Sequence, residues 1–193
     1  MNRETLVRIF SKIPTIETER LILRPMSARD AADMFDYSCR AELTKYLLWS
    51  PHNTVGYTRE YLSYIEKRYK LGDFYDWAVV ESESGRMIGT CGFTSIDLAN
   101  RRGEIGYVLN PDYHRRGYAP EAARAVIEFG FGKLELNRIE ARFMEGNEPS
   151  RRVAEKLGMT FEGYARDAIF VKGAYRTVGT CAILRDEFQK LQS

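Results

Sequence analysis

Between Tyr107 and Glu121 the sequence changes its period, and no other stretch constrains the fold as tightly. Up to Leu109 it carries strand formers, and at Pro111 it turns sharply. His114-Arg-Arg-Gly-Tyr-Ala119 then forms a basic, glycine-containing loop. From Pro120 to Lys133, Ala122, Ala123, Val126 and Phe129 face one way, with Glu121, Arg124 and Glu128 opposite. That spacing predicts a helix with proline in its first turn. A loop delivered to a helix start is an anion cradle, because free backbone N–H groups and the positive end of the helix dipole stabilise phosphate oxygens. Arg115 and Arg116 add charge, and Gly117 and Ala119 let the backbone approach closely. Two nucleotide motifs fail: Gly132-Lys133 is followed by Leu134 where a Walker loop needs Ser or Thr, and Glu135 stands where a dinucleotide fingerprint needs glycine.

The flanking sequence surrounds this switch with sheet. Leu21 to Leu23, stopped by Pro25, is a short buried strand, and Ser27 with Asp30 forms a capping box before a first helix. Thr54 to Leu71 is amphipathic, with Thr58, Tyr61, Leu62, Ile65 and Tyr69 on one face. Trp77–Val80, Met87–Ile96 and Glu104–Leu109 are short strands of a meander. Arg138–Phe143 is another strand, Asn147–Leu157 a helix closed by Gly158, and Phe161–Val171 and Thr177–Leu184 a final pair. The expected class is α+β: one domain over 1–193, with a mixed seven-stranded sheet flanked by helices.

Composition narrows the partners. The 29 basic and 27 acidic residues leave a net charge of +2, so no global field recruits nucleic acid or an anionic membrane. Cys39, Cys91 and Cys181 form no C-x-x-C pair and fit a reducing compartment, the cytoplasm. With His52 and His114 the only histidines and no H-E-x-x-H spacing, no metal is expected. Met1–Thr15 lacks an apolar export signal, and no apolar run approaches the roughly 20 residues that span a bilayer.

His114-Arg-Arg-Gly-Tyr-Ala119 resembles the pyrophosphate-binding Q/R-x-x-G-x-G/A signature of the GNAT superfamily of acyl-CoA N-acyltransferases, with His114 at its first position. Asn147-Glu-Pro-Ser150, leading to Lys156-Leu-Gly158-Met159, resembles the family's N-x-x-S/A segment. Thr18–Arg24, Thr44–Trp49, Glu104–Tyr107 and Ile183–Phe188 are similar to landmarks of the ribosomal-protein N-terminal acetyltransferases, so the likeness covers about residues 16–188. The resemblance implies a mostly antiparallel sheet splayed between its fourth and fifth strands. Acetyl-CoA would lie in that splay, bound by main-chain groups of Tyr107, Val108 and Leu109. Its pyrophosphate would rest on Arg115, Arg116, Gly117, Tyr118, Ala119 and Pro120, with Asn147 and Ser150 nearby.

The implied reaction is direct attack of a primary amine on the thioester. The acceptor is expected to be the α-amine of a protein N-terminus, with a polyamine, antibiotic or amino acid as the alternative. Many superfamily members carry a tyrosine acid seven residues after the asparagine, where this chain has Ala154. Glu104 is the candidate base, against a plain solvent-facing strand residue. Ser150 is the candidate donor to the CoA thiolate, against a first-turn hydroxyl bonding its own backbone. Cys181 reads as a core residue. Two other classes stay open: an acyl-CoA-binding module without catalysis, and a nucleic-acid binder using Arg101, Arg102, Arg115, Arg116, Arg151 and Arg152. The oligomer is expected to be a monomer or homodimer.

Overall fold

A computed structural model describes residues 1–191; positions 192 and 193 of the expected domain lie outside the described residues. The chain runs α1 (Arg3–Phe10), β1 (Ile16–Glu17), β2 (Leu21–Arg24), a 3-10 turn at Ala28–Asp30, α2 (Ala31–Ser38), α3 (Ala41–Thr44) and α4 (Val55–Leu71). It continues through β3 (Tyr75–Glu81), β4 (Met87–Asp97), β5 (Arg102–Leu109), a 3-10 turn at Pro111–Tyr113, α5 (Tyr118–Gly132) and β6 (Arg138–Met144). The last elements are α6 (Glu148–Lys156), β7 (Thr160–Val171), β8 (Ala174–Leu184) and α7 (Arg185–Lys190).

The strands form one open sheet in the order β1-β2-β3-β4-β5-β6-β8-β7. It has eight strands where seven were expected. The addition is β1, which pairs Ile16 with Leu23 and Glu17 with Ile22 and is too short for any alternation to announce it. The sequence also left α1 and α7 unassigned. Asn2 caps α1 by accepting the Thr5 N–H at 2.9 Å, and the buried Phe10 ring packs edge-on against Tyr75, Trp77 and Phe129. The capping box at Ser27 and Asp30 is present, as is the Thr54 cap of α4.

Every neighbouring pair is antiparallel except β5 and β6. Parallel neighbours need a crossover, and α5 supplies it, packing on β2, β4 and β5. Register places Trp77, Cys91 and Tyr107 on the sheet face that α5 covers, where Phe129 meets Trp77 at 5.4 Å. Asp76, Gly92 and Gly106 alternate onto the opposite face. No helix of the described residues is long and apolar enough to cross a membrane.

Candidate active site

The parallel pair supplies the frame. Its register is Arg102↔Arg138, Gly103↔Ile139, Glu104↔Glu140 and Ile105↔Ala141, and there it stops. Gly106–Leu109 stay paired with β4, while Arg142–Met144 stay paired with β8. The two strands part beyond Ile105, so a wedge opens at their C-terminal ends, between the expected fourth and fifth strands. Tyr107, Val108 and Leu109 line one wall of it with backbone that β6 does not engage. The chain leaves β5 for α5 and β6 for α6, so both helices begin at the open end.

At the start of α5, Gly117 has φ +86° and Arg115 φ +63°. The left-handed turn at Gly117 sends the chain into the helix with no side-chain cap. Tyr118 and Ala119 occupy the first helical positions, where N–H groups have no intrahelical acceptor, and Pro120 has no N–H. The loop is strapped from beneath by the turn between β1 and β2. Arg20 donates to the Arg116 carbonyl at 2.9 Å and to Glu121 Oε2 at 2.8 Å, and Thr18 donates to Glu121 Oε1 at 2.7 Å. Those bonds hold the Glu121 carboxyl below its ordinary pKa although burial opposes them.

The side chains divide unevenly. Arg115 and Arg116 are exposed, with the Arg116 guanidinium over the Tyr113 ring at 5.2 Å. Tyr118 is buried and donates to Glu81 Oε1 at 2.6 Å, so its side chain braces the loop and only its main chain faces the cradle. His114, at the signature's first position, bonds the Leu109 carbonyl at 2.9 Å and ties the loop back to β5.

At the start of α6, Asn147 caps the helix by accepting the Ser150 N–H at 3.4 Å, and its NH₂ makes no hydrogen bond among the described residues. Ser150 Oγ donates to the Tyr107 hydroxyl at 3.2 Å, which donates to the Ser150 carbonyl at 2.8 Å. Burial pushes the Tyr107 phenol well above its ordinary pKa, so it stays protonated at neutral pH. Sequence reasoning enlisted only the main chain of Tyr107. Its alternation with Ile105 and Leu109 places the ring toward the helices, but the Ser150 contact spans 43 residues.

Glu104 lies on the other face, half-buried, with Arg142 Nη1 at 3.7 Å from its carboxylate. It shares that face with Gly106, at the base of the wedge. Cys181 is fully buried, and burial raises its thiol pKa. Among the arginines considered for nucleic acid, Arg101 donates to the Glu135 carbonyl, Arg102 lies near Asp97 and Glu140, and Arg151 pairs with Glu155. Among the described residues no cluster of three or more His, Cys, Asp or Glu side chains is placed to hold a metal.

Unclaimed N–H groups at a helix start, beside a parallel pair that parts to admit an extended arm, fit a ligand with a pyrophosphate head and an amide-bearing tail. Coenzyme A has that shape, and the site defines the class of acyl-CoA-dependent N-acyltransferases. The chain belongs to the GNAT acetyltransferases: the family model described as an acetyltransferase (GNAT) domain matches residues 20–160. It is 36% identical over 174 residues to the uncharacterized N-acetyltransferase p20 of Bacillus licheniformis, covering 90% of this chain and 98% of that one. A candidate ribosomal N-acetyltransferase of Bacillus subtilis, YdaF, is 34% identical over 105 residues, 54% of this chain and 57% of that one. The crystal structure of a GNAT-family acetyltransferase from Bacillus anthracis superposes with TM-score 0.79 at 30% identity, over 90% of this chain and 99% of that one. The protein is thus an acetyl-CoA-dependent N-acetyltransferase that transfers acetyl to an amine.

Proposed function

We propose that the acceptor is the α-amine of a protein N-terminus, of the ribosomal-protein kind, acetylated by direct attack on acetyl-CoA. The observation that carries this reading is the wedge beyond Ile105, which exposes the backbone of Gly106–Leu109 beside the Glu104 face. The likeness to YdaF, named for ribosomal N-acetyltransfer, supports the acceptor class. Chemistry supports it too. An α-amine with pKa about 8 is partly neutral at pH 7, while a lysine near 10.4 is almost wholly charged.

In this reading, the N–H groups of Gly117 to Ala119 hold the pyrophosphate, with Arg115 and Arg116 adding charge and Pro120 fixing the first turn. Tyr107 to Leu109 hold the acyl-pantetheine arm by their main chain, and the Asn147 amide donates to it. The neutral amine attacks the acetyl carbonyl, the C–N bond forms, and Glu104 takes a proton from the nitrogen as the C–S bond breaks. The Ser150 hydroxyl turns from Tyr107 to donate to the departing thiolate, a rotation about one bond. Arg142 lies 3.7 Å from that carboxylate, beside it in the sheet through the β5–β6 pair.

A panel of N-terminal peptides, Nα-blocked lysine peptides, polyamines and aminoglycosides tests the acceptor. The highest kcat/KM is expected with a free α-amine; preference for a polyamine would replace this reading with a small-molecule one. Glu104→Gln is expected to lower kcat by about 10²- to 10⁴-fold while calorimetry shows unchanged CoA affinity. A near-wild-type kcat would remove Glu104 from the chemistry.

A further inference from the structure

Asp76 interrupts the apolar run of β3 beside the fully buried Trp77. Across its face of the sheet the register runs Asp76↔Gly92 and Gly92↔Gly106, so one carboxylate is followed over two strands by two residues without side chains. The carboxylate leans toward β4: a Cβ on Gly92 would lie 2.7 Å from Asp76 Oδ1 and strike the Asp76 backbone. At Gly106 only the Thr94 methyl comes near, 2.8 Å from where a Cβ would be. Gly92 is buried beside that carboxylate, and the half-buried Gly106 lies one strand spacing, about 4.8 Å, beyond it. Gly106 is the residue at which β5 parts from β6.

The carboxylate accepts the Trp77 N–H at 3.0 Å and a bond from the Thr90 hydroxyl. No lysine, arginine or histidine pairs with it among the described residues. The titratable groups that feel its charge are Tyr37 from α2, Tyr61 and Tyr69 from α4, and Cys91 from β4. All are neutral at pH 7, since burial raises each of their pKa values. The Tyr37 hydroxyl is buried with no hydrogen-bond partner among the described residues, and Asp76 is the charge that acts on it most strongly. A carboxylate without a counter-ion, on the sheet face it shares with Gly106 and Glu104, is matched to a cation that arrives with the substrate.

We propose that Asp76 receives the acceptor's ammonium group over Gly106 and takes its first proton. The inference rests on the amine-acetyltransferase reading and names how the acceptor enters. The ammonium gives one proton to Asp76, leaving a neutral amine and a neutral carboxylic acid. The amine attacks the acetyl carbonyl, and Glu104 takes the second proton as the C–S bond breaks and CoA leaves as thiolate. Asp76 then returns its proton to water. Burial lifts the Asp76 carboxyl to about 7. That lies roughly one unit below an α-amine and over three below a lysine, so transfer from an α-amine is far less uphill.

The test is the pH dependence of kcat/KM for wild type, Asp76→Asn and Glu104→Gln with acetyl-CoA and a free α-amine peptide. In wild type the rate falls as pH drops through about 7, where Asp76 becomes protonated and cannot accept. Asp76→Asn is expected to move this limb up to the amine's own pKa, about 8. The variant then loses about fivefold at pH 7, approaches wild type above pH 9, and keeps its CoA affinity. Glu104→Gln should keep the limb near 7. A limb unmoved in Asp76→Asn, or an equal loss at every pH, overturns the proposal. Gly106→Ala, which fills the space over Gly106, should raise the acceptor KM severalfold; an unchanged KM also overturns it. If wild type acetylates a polyamine and no peptide, the α-amine reading fails, and the same limb shift with that polyamine still decides the role of Asp76.

Discussion

α5 and α6 both begin at the open end of the wedge and both carry proline in the first turn, yet their leading N–H groups are treated differently. α6 is capped from within, by the Asn147 side chain on the Ser150 N–H. α5 is entered through a left-handed glycine with no side chain to offer, and its strength goes into the strap beneath, where Arg20 and Glu121 bind the loop. A capped start spends its donors on the protein; an uncapped one keeps them for a ligand. In the proposed reading α5 is therefore the anion site, and α6, the more self-sufficient neighbour, would touch the same ligand by side chains.

The largest effect should come from forcing a side chain into the uncapped start. Gly117→Val places a β-branched residue at φ +86°, with its Cβ 3.2 Å from Arg20 Nη2. Strain of about 1–3 kcal/mol is expected to turn the loop and weaken CoA binding by about 10- to 100-fold in calorimetry. Gly117→Asn, which tolerates the left-handed region, should lose much less. Unchanged affinity in Gly117→Val would break the contrast between the two helices. The sequence reads Gly117 as letting the backbone approach phosphate. In the structure an added side chain meets Arg20, and the damage passes through the backbone.

A smaller effect is expected at the capped start. Asn147→Asp keeps the cap, so the melting temperature should hold, while the added charge lowers CoA affinity by about three- to tenfold, less so at high salt. Equal affinity in the two proteins would leave Asn147 as a cap alone. The smallest effect belongs to Ser150→Ala. A thiolate leaves readily even when only hydrogen-bonded, so kcat should fall by no more than about tenfold, with CoA affinity held. A loss as large as that of Glu104→Gln would make α6 the more chemical of the two helices.

The sequence exposes the parts of the site that are local. Proline and glycine at helix starts, a basic loop after a strand and an asparagine cap are patterns of a few neighbouring residues, and each is where it was expected. The parting of β5 from β6 followed from family resemblance, since nothing in the composition of Gly106–Leu109 says that β6 will leave; which pair of the mixed sheet is parallel was not read from the sequence. What stayed hidden joins residues far apart. The Arg20–Glu121 strap spans 101 positions and the Tyr107–Ser150 contact 43. Asp76 was passed over because its meaning lies in two glycines on other strands. β1 was missed because two residues have no period. The one local signal left unused was an acidic residue inside the apolar run of β3.

The seam between β5 and β6 also bears on how the molecule holds together. Five strands stand on one side of it and three on the other, and only four residue pairs of main chain join them. In the proposed reading an arm lying in the wedge would offer its amides to the unpaired walls, and so act as a removable ninth strand. Mass action then makes the cosubstrate a structural component. At a concentration 100 times its dissociation constant it adds about 2.7 kcal/mol to folding, and that gain vanishes whenever the cleft empties.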